Sequence, residues 1–153
     1  MRYEHAHEIV QGIFLGNKEA AHDENFLRRH KIQLIVNCTK DVPFQEHFRT
    51  IEHYRVPIDD KLAHEDSAKL LRLLPLILER IMKMHYAGKN VLVHCFAGMQ
   101  RSAAVVAGLL IFVHGMSADQ AVKYIRSIRP IAFTPGVNFM YTLKKFEQEV
   151  HNL

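Results

Sequence analysis

The 153-residue sequence predicts an α/β fold: a central four- to five-stranded, mostly parallel, twisted sheet flanked by helices on both faces. Three observations carry that expectation. Residues 32–37 (Ile-Gln-Leu-Ile-Val-Asn) form an apolar run rich in branched side chains, which suits a strand covered on both faces. A second short apolar run at 91–94 follows a long helical pattern, and a strand-helix-strand crossover implies parallel pairing. That second run then passes through a seven-residue stretch into another helical pattern at 102–113.

In chain order, residues 8–15 read as two short strand pieces around Gly12, with Ile9, Ile13 and Leu15 facing the core. Gly16-Asn17 turns the chain, and Asn17 caps a short helix through Ala21, followed by a helical turn at 24–30. After strand 32–37, residues 39–50 carry Pro43 and mixed charges and read as an exposed loop; the next strand is expected at 54–58. From 65 to 87, Leu70, Leu74, Ile77, Leu78 and Ile81 recur at helical spacing before Gly88, while Pro75 predicts a kink or a break near Leu74. Helix 102–113 ends near Gly115, and Ser117-x-x-Gln120 reads as a capping box for a helix to about residue 127. Arg129-Pro130 stops it, and Thr134-Pro135 is expected to cap and begin a last helix bearing Phe139, Leu143, Phe146 and Val150 on one face.

The loop between strand 91–94 and helix 102–113 carries the chemistry. It lies at a helix N-terminus, where unpaired N–H groups and the positive end of the dipole favour an anion such as phosphate. Cys95 opens it, Arg101 closes it with a bidentate clamp, and Gly98 permits a bend that a Cβ would resist. Beside a helix N-terminus and a cation, a cysteine pKa falls from about 8.5 to roughly 3.5–7.5, so Cys95 is expected as a thiolate. Such a site also needs a carboxylic acid to protonate a leaving oxygen, and Asp59-Asp60, just past a strand end, are placed for it, with Asp66 a more distant candidate.

His94-Cys95-Phe96-Ala97-Gly98-Met99-Gln100-Arg101-Ser102 resembles the His-Cys-x5-Arg-Ser/Thr signature of the cysteine-dependent protein tyrosine phosphatases. Ile13 to Asn17, Ala20, residues 32–37, and the Arg-Pro, Pro and Phe within 128–139 extend the likeness to the small (atypical) dual-specificity phosphatases over nearly the whole chain. The resemblance implies a phosphatase-like fold and hydrolysis of phosphotyrosine and phosphoserine/threonine through a phosphocysteine. It makes Cys95 the nucleophile and Arg101 the phosphate clamp. It makes Asp60, from the apolar-Pro-apolar-x-Asp pattern of 56–60, the general acid and base, with Asp59 second. Ser102 would donate a hydrogen bond to the sulfur. Phe96, Ala97, Gly98, Met99 and Gln100 would bind the phosphoryl group, and Arg129 would meet a second phosphate. Gly136 departs from the family, where Asn commonly follows the proline. Neither metal nor organic cofactor is implied. Two rivals share the motif: a phosphatase for RNA 5′-triphosphate or phosphoinositide, although the loop has no lysine, and a non-catalytic phosphopeptide-binding module.

Composition agrees. The net charge of +4 favours anionic substrates without naming one. The eleven histidines show neither paired Cys spacing nor an HExxH pattern, so no metal site is read. Two cysteines make no secreted disulfide framework and point to a reducing compartment. Cys38 reads as a small apolar residue at a strand end, or as a redox partner of Cys95. Without a basic-then-apolar leader or an apolar run long enough to span a bilayer, one domain over 1–153 is expected, soluble and cytoplasmic or nuclear. Phosphorylated proteins are the expected partners, with neither nucleic acid nor membrane required, as monomer or homodimer.

Overall fold

Branched apolar residues on three neighbouring strands point alternately to opposite faces of one sheet, and this divides the core into two layers. The computed structural model describes residues 2–45 and 50–152. The strands are β1 (Ala6–Val10), β2 (Ile13–Gly16), β3 (Ile32–Asn37), β4 (Glu52–Arg55) and β5 (Asn90–His94), in the order β1-β2-β5-β3-β4. All neighbours are parallel except the β1–β2 hairpin. Ile13, Leu15, Leu34, Val36, Val91 and Val93 face one side, where they meet α3 (His64–Tyr86), α4 (Arg101–His114), α5 (Ala118–Ile128) and α6 (Met140–His151). Phe14, Ile32, Ile35 and Leu92 face the other, under α1 (Lys18–Ala21) and α2 (Glu24–Arg29). The predicted sheet and its helical layers are therefore present.

Local signals explain the connections. Gly12 turns the hairpin at φ 83°, Asn17 Oδ1 accepts from Ala20 N–H at 3.0 Å to start α1, and Ser117 and Gln120 form the capping box of α5.

Three expectations need correction. β4 spans Glu52–Arg55, not 54–58: Pro57 has no N–H for the ladder, and Ile58 N–H turns back to Val56 O at 2.9 Å. Pro75 does not divide α3, which runs as one helix; its ring lies on the solvent-exposed face while Leu74, Ile77 and Leu78 on either side remain packed. Thr134-Pro135 does not start α6, which begins at Met140, because the backbone of 133–136 is hydrogen-bonded to the loop after β5. Of the loop expected over 39–50, residues 46–49 lie outside the described residues.

No single helix among the described residues is long and apolar enough to cross a membrane.

Candidate active site

The loop between β5 and α4 is built so that its carbonyls point outward. Each of the six from Cys95 to Gln100 has a partner: Cys95 O accepts from His94 Nδ1–H at 3.1 Å, and Phe96 O from Lys18 N–H at 3.1 Å. Ala97 O and Gly98 O accept from Arg129 Nη2 and Nε at 3.3 and 2.9 Å. Met99 O accepts from Phe133 N–H at 2.7 Å and Gln100 O from Ala104 N–H at 2.8 Å. In a trans peptide the N–H lies opposite the preceding C=O, so turning these carbonyls out turns the N–H groups of residues 96–101 in. The result is a nest of amides at the N-terminus of α4, suited to a tetrahedral anion.

Gly98 permits the close packing beneath this nest. Its φ is 68°, and a Cβ there would stand 2.5 Å from Gly16 O and 2.8 Å from Arg129 Nη2. Any side chain would lift the loop from β2 and from the guanidinium that holds it.

Cys95 is buried at the foot of the nest, its Sγ 3.1 Å from Ser102 Oγ. Burial pushes its thiol pKa up, but the hydroxyl and N–H of Ser102, the charge of Arg101 and the N–H of Gly98 together outweigh burial and bring it below the ordinary value. Cys38 is equally buried but lacks such donors, and burial followed by the neighbouring Cys95 drives its thiol well above the ordinary value. Both cysteines are free. Asn37 and His94 are register partners on β3 and β5, so Cys38 and Cys95 continue adjacent strands and lie in the same core layer.

Arg101 Nη1 donates to Ile58 O at 3.0 Å, tying the Val56–Asp60 stretch to the loop. The two aspartates beyond Ile58 differ in their partners. Asp59 accepts from Lys40 Nζ at 2.7 Å and has Lys61 Nζ at 3.7 Å; the Lys40 hydrogen bond leads in holding its carboxyl below the usual range. Asp60 Oδ1 instead accepts from the neutral amide Nδ2 of Asn138 at 2.9 Å. Asp66 lies in the first turn of α3.

Arg129 corrects an expectation. Its side chain is fully buried below the loop, donating to Gly98 O and Ala97 O, to Glu4 O at 2.9 Å, and to His7 Nδ1 at 2.9 Å. It braces the nest from beneath and has no open face for a second phosphate. Phe96, in contrast, is 56% exposed at the rim, with Lys18 Nζ 4.8 Å from its ring centroid. Gln100 is among the loop residues, but its side chain turns away: Nε2 donates to Thr134 O and Gly136 O at 3.1 and 2.7 Å.

Sequence reasoning missed the distant partners of this loop, Lys18, Phe133 and Asn138, and the two residues that hold Arg129 beneath it, His7 and Glu4. Only the departure at Gly136 signalled that the 134–138 segment was unusual.

The family model described as dual specificity phosphatase, catalytic domain, matches residues 13–149. The chain belongs to this family. Human dual specificity protein phosphatase 21 is 31% identical over 145 residues, covering 95% of this chain and 73% of that protein. Dual specificity protein phosphatase Mpk3 of Drosophila melanogaster is 32% identical over 146 residues, covering 94% of this chain. Several matched relatives are far longer: the chain spans 22% of human dual specificity protein phosphatase 8 and 34% of Mpk3. Among solved structures, human DUSP28 superposes with a TM-score of 0.87 at 29% identity, covering 98% of this chain and 97% of that one. A mouse dual specificity phosphatase complexed with zinc tungstate gives 0.87 at 30% identity, covering 99% and 91%.

Proposed function

We propose that this chain is a protein phosphatase that hydrolyses phosphotyrosine and phosphoserine/threonine through a phosphocysteine intermediate. The observation that carries the reading is the position of the Cys95 sulfur, held below its ordinary pKa at the foot of a nest whose six carbonyls are all paired outward. Family membership and intact Cys95, Arg101 and Asp60 support it further.

In the first step the Cys95 thiolate attacks phosphorus in line. The S–P bond forms as the bond to the leaving oxygen breaks, and Asp60 transfers its proton to that oxygen. Arg101 and the N–H groups of residues 96–101 hold the equatorial oxygens as charge redistributes. In the second step the Asp60 carboxylate accepts a proton from water as the water oxygen attacks phosphorus. The S–P bond breaks, its electron pair returns to sulfur under the hydrogen bond from Ser102, and inorganic phosphate leaves. Asp60 suits the acid better than Asp59, because a lysine hydrogen bond keeps Asp59 ionised whereas the Asn138 amide carries no charge.

The exposed Phe96 at the rim fits phosphorylated side chains on protein surfaces, and the two free thiols fit a reducing compartment, cytoplasmic or nuclear. The test is a set of initial rates on phosphotyrosine and phosphothreonine peptides, inositol phosphates and a 5′-triphosphate RNA, with Cys95→Ser as control. Hydrolysis of both peptide classes, lost in Cys95→Ser, is the expected result. Turnover confined to the lipid headgroup or RNA would overturn the protein-substrate reading. Binding without turnover by the unaltered chain would leave only a phosphopeptide-binding module.

A further inference from the structure

The Gln100 side chain uses both ends of its amide on one segment. Nε2 donates to Thr134 O and Gly136 O, and Oε1 accepts from Asn138 N–H at 3.0 Å. Asn138 Nδ2 then donates to Asp60 Oδ1 at 2.9 Å. A continuous chain of hydrogen bonds thus runs from the residue that opens α4, through the 134–138 segment, to the carboxylate beyond β4. Gln100 is buried, so its bonds form away from competing water and are costly to leave unmade.

We propose that Asn138 is the positioning residue of Asp60, itself fixed to the phosphate-binding loop by Gln100, so that the acid is aimed before substrate arrives. This rests on the reading of Asp60 as the general acid. An asparagine amide suits the task chemically. It donates to Oδ1 and leaves Oδ2 free to carry the proton that goes to the leaving oxygen. A lysine at this place would stabilise the ionised carboxylate and withhold that proton, as Lys40 does at Asp59. The link also explains why the segment before α6 is not helical: its carbonyls at Thr134 and Gly136 and its N–H at Asn138 are committed to Gln100.

The effect belongs to proton donation and is read by varying the leaving group. Steady-state rates of the full chain are measured on aryl phosphates whose leaving phenols span a wide range of acidity. Asn138→Ala is expected to lower kcat/KM, which reports the step that releases the phenol, about tenfold or more on the least acidic phenols, with a loss several times smaller on the most acidic, which depart without a proton. Asn138→Leu, of similar shape but without the donor, should match the alanine variant, and Gln100→Ala should give a weaker form of the same pattern. In an Asp60→Asn background, Asn138→Ala should add little, because the two act through one proton. Equal losses of kcat/KM across all leaving groups, or losses of kcat/KM that multiply with Asp60→Asn, would overturn the proposal and leave Asn138 a packing role. Should Asp60→Asn itself spare the least acidic phenols, the reading of Asp60 fails first; if only that variant shows the leaving-group pattern, the reading stands and this proposal fails.

Discussion

The hydroxyl of Ser102, at the second position of α4, lies 3.1 Å from the sulfur of Cys95 at the end of β5, with both side chains withdrawn from solvent. The contact exists because the loop between them folds into a single nest, bringing together residues seven apart in sequence. A hydrogen bond to a charged group contributes about 1.5–3 kcal/mol. Ser102→Ala should therefore raise the pH at which Cys95 becomes alkylated. It should also slow breakdown of the phosphocysteine more than its formation, seen as a larger burst of released phenol before steady state. An unchanged alkylation profile would remove the hydroxyl from the account.

The two cysteines should respond to alkylating reagents in opposite ways. Cys95 is lowered and Cys38 raised well above the ordinary thiol, so the first ionises at lower pH than the second. Iodoacetate near pH 6.5 should modify Cys95 alone, read by peptide mass spectrometry, and saturating phosphate should protect it. Cys38 should react only after denaturation. Modification of Cys38 first would reverse the electrostatic ordering.

The parts of the site legible in the sequence are those whose determinants are contiguous. Cys95 to Ser102 is one stretch, and the strand before it and the helix after it announce themselves by unbroken apolar runs, so nucleophile, clamp and hydroxyl could be read together. β4 could not: it is an edge strand whose residues Glu52–Arg55 are exposed or half-buried, so no apolar alternation marks it. The segment from Arg129 to Phe139 failed for a different reason. Its Thr-Pro pair is a good helix start locally, but hydrogen bonds to a loop some thirty residues earlier override that preference. Arg129 is expected at a second phosphate because no local signal distinguishes a guanidinium open to a ligand from one that serves the carbonyls of Glu4, Ala97 and Gly98. Pro75 does not break α3, since its ring lies on the exposed face and leaves Leu74, Ile77 and Leu78 packed.

Arg129 supplies a sharp test of brace against substrate contact. Arg129→Met keeps much of the volume but leaves Gly98 O, Ala97 O and Glu4 O without their donor. At about 1–3 kcal/mol for each unsatisfied buried group, the fold should lose at least about 3 kcal/mol. For a chain of this size that is a fall in Tm of roughly 6–12 °C. Activity should fall alike on singly and doubly phosphorylated peptides. A loss confined to doubly phosphorylated peptides, with Tm unchanged, would restore the second-phosphate role.

His94 ties acid stability to the same loop. Its Nδ1–H donates to Cys95 O, and burial leads in lowering its pKa from 6.5 to about 4. The native state thus refuses a proton that the unfolded chain accepts once the pH drops below about 6.5. Stability should decline as pH falls from 6.5 towards 4 and level off, for this residue, below 4. A difference of that size corresponds to about 3 kcal/mol at the low-pH end. Thermal unfolding followed by circular dichroism between pH 7 and 4 should show this slope. His94→Asn, whose amide can still donate to Cys95 O but does not titrate, should flatten it within that window. If the variant's Tm falls with acid as steeply as that of the unaltered chain, His94 is not the group that titrates.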